Sequence, residues 1–387
     1  MIPEPQRTYV LELLKALGPA ADDFVVAGAQ AMKFVLERAR ATKDIDFVLD
    51  IVGLRAEKVS IAARLQELGY KVVEGSRNFQ FEKPIPNSTE SMRIEFMAPE
   101  EFKREKDFRV DVENGIHARA LTGGSVAVVE SSIHELSGNL PDGSPFKASI
   151  RVTKPHALVM LKLLALDDRY RNIRGALEAK HDREEARTHA ADIIAIVTAQ
   201  LDEEQFKNDF ERQFQGAVGL GIRVLKILDG YFRESTSPGL LVYEESIVAD
   251  KPVDRDARQQ VSQEIERAHK MMVAVLPRKE FYELLGAVED SCDIEGNSGL
   301  AEEFLTNLEQ TRTTIADETA VEHLPGSAFG GAFARGATFT ISASEASKVL
   351  SAPELGIVNA QIQTCGEKLR SRADLAERFP HAFAAKA

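Results

Sequence analysis

The sequence predicts an α+β protein, a mixed sheet with flanking helices followed by a helical domain. Three observations carry that prediction. Short apolar or alternating runs bounded by turn residues recur up to about residue 153. From Pro155 onward the apolar residues fall at helical spacing instead. At 387 residues the chain is long enough for two or three domains, at roughly 100–200 residues each.

Taken in order, residues 6–18 place Val10, Leu11, Leu14 and Leu17 on one helical stripe. Phe24 to Ala27 reads as a short buried strand, Gly28 to Ala31 as a turn, and Met32 to about Arg40 as a helix. Asp44 to Asp50 is a second strand, and 56–68 a helix with Ile61, Leu65 and Leu68 inward. Lys71 to Glu74 and Asn78 to Glu82 alternate like a hairpin around Gly75-Ser76. Ser91 to Met97 alternates again, with Met92, Ile94 and Phe96 on one face and Arg93, Glu95 and Met97 on the other. Further strands are expected at 117–121, 125–130 and 146–152. Helices are expected at 155–168, 184–200, through 203–230, at 254–275 and at 298–312, with loops at 235–238 and 325–336. The expected domains are 1–153, then a helical domain over 154–232 that completes the site, then a mostly helical acidic region over 233–387.

Composition narrows the function classes. A 44% apolar and 28% charged chain of this length can bury a core without staples. Its two cysteines, Cys292 and Cys365, lie in no Cys-x-x-Cys or Cys/His cluster, which argues against structural zinc. The N-terminus lacks a basic start followed by an apolar run, and no stretch of about 18 uncharged apolar residues occurs, so a cytoplasmic protein without a membrane span is expected. The net charge of −13 is uneven: residues 1–200 carry 28 Lys and Arg against 30 Asp and Glu, and residues 201–387 carry 20 against 31. Phosphate contacts need cations, so a polyanionic substrate should meet the first half.

The chemistry concentrates at Thr42-Lys43-Asp44-Ile45-Asp46-Phe47. Carboxylates at i and i+2 of a strand leave the same face. Two such groups side by side repel unless a cation sits between them, and Mg²⁺ is the hard ion that takes one or two carboxylates together with phosphate oxygens and water. Upstream, the strand ending at Gly28-Ala29 opens into a helix, a turn whose backbone N–H groups can meet phosphate. Glu95 lies mid-strand in Arg93-Ile94-Glu95-Phe96; a strand adjacent to that of Asp44 and Asp46 would bring it in as a third carboxylate, the set that holds two Mg²⁺ ions. Lys162 and Arg169 are seven residues apart, two turns of helix, and share one face.

Gly28-Ala29-Gln30-Ala31 followed by Thr42-Lys43-Asp44-Ile45-Asp46 resembles the nucleotidyltransferase superfamily of polymerase-beta type, closest to the AbiEii or MenT-like toxins of toxin–antitoxin systems. Lys162-Leu163-Leu164-Ala165-Leu166-Asp167-Asp168-Arg169 matches the helical Lys-x-x-Ala-x-x-x-Arg motif of those toxins, and Asp192 their later helical acid. The likeness covers about residues 22–200. It implies catalytic roles for Asp44, Asp46, Lys162 and Asp192. It implies nucleotide binding by Gly28, Ala29, Lys43, Lys162 and Arg169, and metal ligation by Asp44, Asp46 and Glu95. Arg169 binds phosphate or pairs with Asp192 as a scaffold. The implied reaction moves an NMP from an NTP, with Mg²⁺, to a hydroxyl of RNA, such as the tRNA 3′ end, and the implied protein partner is a cognate antitoxin. The sequence departs from the family at the turn, where Ala27 and Ala29 stand in place of a second Gly or a Ser. A small-molecule acceptor, a protein acceptor, and an inactive nucleotide-binding protein all stay open beside the RNA reading.

Overall fold

The structure is a computed structural model. It describes residues 2–277, except 37–38, 40–41, 43, 57–58, 87, 104–107, 173–174, 176–177, 215–216 and 249–254, and isolated positions beyond 277. Cys292, Cys365, the loop at 325–336 and all but Thr306 of the helix at 298–312 lie outside the described residues. The chain forms two compact units, Met1–Phe206 with Ile227–Ala274, and Lys207–Lys226 with Val275–Ala387.

The first unit is built on a mixed sheet. Its strands are β1 (Phe24–Ala27), β2 (Asp44–Leu49), β3 (Lys71–Val72), β4 (Gln80–Pro84), β5 (Ser91–Pro99), β6 (Arg109–Glu113), β7 (Ile116–Leu121), β8 (Ser131–Asn139) and β9 (Pro145–Thr153). The order is β3-β4-β5-β2-β1-β9-β8. β7 pairs with β5 beyond the residues that β4 occupies, and β6 pairs with β7. β1 is antiparallel to β2 and parallel to β9, while β2 is parallel to β5.

Burial on both faces makes the central strands almost wholly apolar. Phe24, Phe47 and Phe96 are completely buried on one face, with Phe24 meeting each of the others edge to face at 5.6 Å. Each such ring contributes about 1.5–3 kcal/mol by burial alone. The other face carries Val25, Ala27, Val48 and Met97 against Val128, with Leu121 and Leu161 packed alongside. Cross-strand partners share a face, so Asp46, opposite Ala27, belongs to this second face.

The helices of the first unit begin with α1 (Gln6–Leu17), α2 (Gly28–Val35), α3 (Ile51–Ala56), α4 (Ile61–Glu67) and α5 (Gly124–Val129). They continue with α6 (Pro155–Arg171) and α7 (Ala179–Thr198). Next come α8 (Glu203–Arg212) and α9 (Val218–Phe232), each with residues assigned to both units, then α10 (Pro238–Val248) and α11 (Arg255–Ala274). α6 starts directly after β9 with Pro155 in its first turn, where a missing N–H costs nothing. Its residues from His156 to Met160, and Leu163, Leu164 and Leu166, are buried, so the helix is enclosed on nearly every side. α7 packs along it, and α10 and α11 pack on α7. In the second unit Phe210 meets Phe214 edge to face, and Gly221 lies against the Phe214 side chain where a Cβ would stand only 2.7 Å away.

Several expected elements differ. Residues 125–130 are mostly helix α5 rather than a strand, despite their β-branched run. Gly123 starts that helix in the left-handed region, and Gly124 lies so close to Pro99 that a Cβ would stand 2.8 Å from its Cα. β6 and β8 fall in segments where no strand is expected. Of β8 only Leu136 is fully buried, so its apolar signal is faint. The helix expected at 56–68 appears as α4, Ile61–Glu67, and a further helix, α3, precedes it at Ile51–Ala56; α2 begins at Gly28 rather than Met32; and α10 begins at Pro238 where the loop reading ends.

Candidate active site

β2 turns Asp44 and Asp46 to one face while Ile45 between them is completely buried. Asp44 is exposed and Asp46 half-buried. In register, Asp46 stands between Ala27 of β1 and Glu95 of β5, and Asp44 stands beside Arg93. The neighbouring strand expected to bring Glu95 to the acid pair is therefore β5.

Gly28 follows Ala27 and takes φ +60°, a conformation that L side chains rarely adopt. A Cβ built there would lie 1.8 Å from Oδ2 of Asp46. The turn backbone is thus laid directly against the carboxylate, and no side chain fits between them. Ala29, the next residue, is buried and offers no hydroxyl.

α6 brings Lys162 to the same face. Its side chain is buried, and Nζ donates to Asp192 Oδ2 of α7 at 2.7 Å, with Asp192 buried as well. The Lys162 charge also bears on Asp46. Burial, then the Glu95 carboxylate, pushes the Asp46 carboxyl up to about 6; Asp44 adds to the rise, while Lys162 and Arg119 oppose it.

Glu95 is engaged on both oxygens. Arg119 Nε of β7 donates to Oε1 at 2.6 Å, and Gln80 Nε2 of β4 donates to Oε2 at 2.7 Å. Asp44 and Asp46 fit a hard cation: a carboxylate whose proton affinity is raised by burial and a neighbouring anion gains from a positive charge beside it. Among the described residues no three His, Cys, Asp or Glu side chains converge as a ready-made metal set.

The remaining sequence candidates separate. Lys43 lies outside the described residues. Arg169 does not pair with Asp192, whose partner is Lys162. Its Nε donates to Glu185 at 2.8 Å, and a terminal nitrogen lies 3.8 Å from both Asp168 and the completely buried Asp182. Three residues of interest have no role assigned by the sequence. Arg119 and Gln80 reach Glu95 only through strand register, which no local pattern reveals. Gln30, in the first turn of α2, is completely buried, and neither of its amide atoms has a hydrogen-bond partner. A lone Gln in an apolar helix is its sole sequence signal.

An acid pair on a central strand, a left-handed glycine turn pressed against it, and a buried lysine on the helix that follows the sheet define a nucleotidyltransferase-type α+β fold. The chain belongs to the AbiEii family, described as the nucleotidyl transferase AbiEii toxin of type IV toxin–antitoxin systems, whose model matches residues 12–287. It is a toxin-like nucleotidyltransferase. Among solved structures it is similar to JHP933 from Helicobacter pylori, at 12% identity over 70% of this chain and 95% of that one, with a TM-score of 0.30. None of the curated proteins matches it. Among the described residues no helix is long and apolar enough to cross a membrane.

Proposed function

We propose that the protein is a Mg²⁺-dependent enzyme that transfers an NMP from an NTP to a hydroxyl of RNA, the tRNA 3′ end being the specific acceptor, and that a cognate antitoxin opposes it. The observation that carries this reading is the placement of Asp46, between the Gly28 turn and Glu95 and within the field of Lys162. The family's description as a toxin of a toxin–antitoxin system supports the antitoxin.

Asp44 and Asp46 would hold Mg²⁺, which supplies charge stabilisation for the triphosphate and acidifies the attacking hydroxyl. The Gly28 turn lets phosphate oxygens approach the backbone without a side chain between them. Lys162 offers a positive charge to the same phosphates, and its bond to Asp192 keeps Nζ from swinging away. Arg119, clamped on Glu95, lends a second cation to the field at Asp46. The acceptor oxygen forms a bond to the α-phosphorus while the bond to the departing pyrophosphate breaks. The hydroxyl proton passes to solvent. Catalysis is then positioning and charge stabilisation.

Incubation of the protein with Mg²⁺, total RNA and each α-labelled NTP tests the reading. Labelled RNA with wild type, and none with Asp44→Ala/Asp46→Ala, is the expected result. Triphosphate binding without labelled RNA would remove RNA as acceptor and leave a small-molecule or protein acceptor. Ala29, which brings no hydroxyl to the turn, favours a second reading, a nucleotide-binding protein without turnover. Growth arrest on expression, relieved by Asp46→Ala, would eliminate that second reading.

A further inference from the structure

A cavity lies at the C-terminal end of α6. It measures about 430 Å³ and is lined by Arg169, Tyr170, Arg183, Arg187, Val242 and Glu245, from α6, α7 and α10. That volume falls within the roughly 300–1,000 Å³ of small-ligand sites. Three arginines against one carboxylate is an unusual concentration in a chain of net charge −13.

Two of the arginines are held in place. Arg187 donates through Nε and one terminal nitrogen to the same Glu245 oxygen, at 3.0 and 2.8 Å. Arg169 is fixed by Glu185 and lies near Asp182. Arg183 is different: it is exposed and forms no hydrogen bond or ion pair among the described residues. Its whole guanidinium fork is available, and that planar fork matches phosphate oxygens in pairs.

The cavity also offers an aromatic surface. Tyr170 is 45% exposed, and its ring meets Tyr231 at 5.4 Å and 83°, a contact that fixes the ring plane. Tyr231 in turn donates its hydroxyl to the buried Asp167 at 3.2 Å. Bases stack on such rings whatever their identity. Lys162 and Arg169 stand two turns apart on one face of α6, about 10 Å along the axis.

We propose that this cavity binds a nucleotide unit, with its phosphate on Arg183 and Arg187 and its base on Tyr170. The unit comes either from an RNA strand or from a free nucleotide. Neither Asp44, Asp46 nor Lys162 takes part in it, so it stands or falls separately from the transfer reaction.

The test uses the full-length Asp46→Ala protein in EDTA, which cannot turn over. Binding of a dye-labelled 12-nucleotide single-stranded RNA is read by anisotropy, with the four nucleoside 5′-monophosphates and inorganic phosphate as competitors. Arg183→Glu should weaken RNA binding about tenfold or more, with Arg183→Lys intermediate. Tyr170→Leu should weaken it about fivefold or more. The slope of log affinity against log salt should fall by about one in Arg183→Glu. Thermal melting checks the fold, which Arg183 supports by no hydrogen bond or ion pair among the described residues. Monophosphates that compete and lose potency with Arg183→Glu identify a free nucleotide as the source; monophosphates that fail to compete identify the strand. Unchanged binding in Arg183→Glu, no RNA or nucleotide binding by the parent, or competition by inorganic phosphate as strong as by the monophosphates would each overturn the proposal. Arg183-dependent binding alongside absent label transfer would instead count against the transfer reading alone.

Discussion

Replacing Asp46 by Asn is expected to make the metal-free protein more stable at neutral pH, although it removes a carboxylate proposed to hold Mg²⁺. Burial and the Glu95 charge lift the Asp46 carboxyl from 3.8 to about 6. In the unfolded chain it titrates near about 3.9. The folded state therefore holds the proton more tightly than the unfolded state does. The stability that the protonated carboxyl confers is fully present below about pH 4 and is lost as pH rises through about 6. A shift of about two pH units corresponds to about 3 kcal/mol, and solvent reaching the half-buried group reduces this to about 1–3 kcal/mol. Urea unfolding in EDTA, at steps from about pH 4 to about pH 8, reads the effect. Wild type and Asp46→Asn should be nearly equal at the acid end, with the variant ahead by that amount near pH 7.5. Mg²⁺ with a non-hydrolysable NTP should then narrow the gap, because binding stabilises only the protein that binds. A variant no more stable than wild type near pH 7.5, or a difference that ignores pH, would refute the electrostatic account.

Gly28→Ala should lose about 1–2 kcal/mol for the left-handed backbone, and more as the new Cβ displaces the Asp46 carboxylate; unfolding and Mg²⁺-nucleotide titration would both register it. Lys162→Met and Asp192→Leu should each destabilise the fold by about 3 kcal/mol by breaking a buried ion pair, whereas the double variant should lose less than the sum of the two without recovering nucleotide binding. Additive losses in that cycle would mean the pair is not coupled. Gln30→Met should gain about 1 kcal/mol in urea unfolding, since it removes a completely buried amide that lacks hydrogen bonds. A loss of stability would show that the amide finds partners in solution.

How much of this was legible in the sequence differs from element to element. Asp44, Ile45 and Asp46 obey a period of two that any strand imposes, so both their shared face and the burial of Ile45 follow from spacing alone. The Gly28 turn is legible as glycine, but its reason is not: the carboxylate that excludes a Cβ lies eighteen positions along the chain. Lys162 could be placed on a helix from its periodicity. Its partner could not, and the choice between Asp192 serving Lys162 or Arg169 required the packing of α7 on α6. Arg119 is recorded nowhere in local pattern, because parallel pairing of β5 and β7 alone decides which arginine meets Glu95. The error at 125–130 has the opposite cause. There the local preference for strand is real, and the left-handed start at Gly123 with the close seat of Gly124 on Pro99 overrides it.

The register that sets Val25 and Val26 beside Arg151 and Val152 has a consequence for the birth of the protein. The strand preceding the glycine turn is made early, but its parallel neighbour emerges more than a hundred residues later, and the helix with Lys162 later still. Nothing local can close the centre of this sheet; non-local pairing of that kind is slow and must wait for the missing strand. Roughly 160 residues separate Gly28 from Asp192, about 10–30 s of synthesis at ordinary ribosome speeds. Through that interval the nascent chain has its acid pair but not the lysine or the helix that holds it. The complete set of these residues therefore comes together only after the chain as far as Asp192 has emerged, with about half of the protein still to be made.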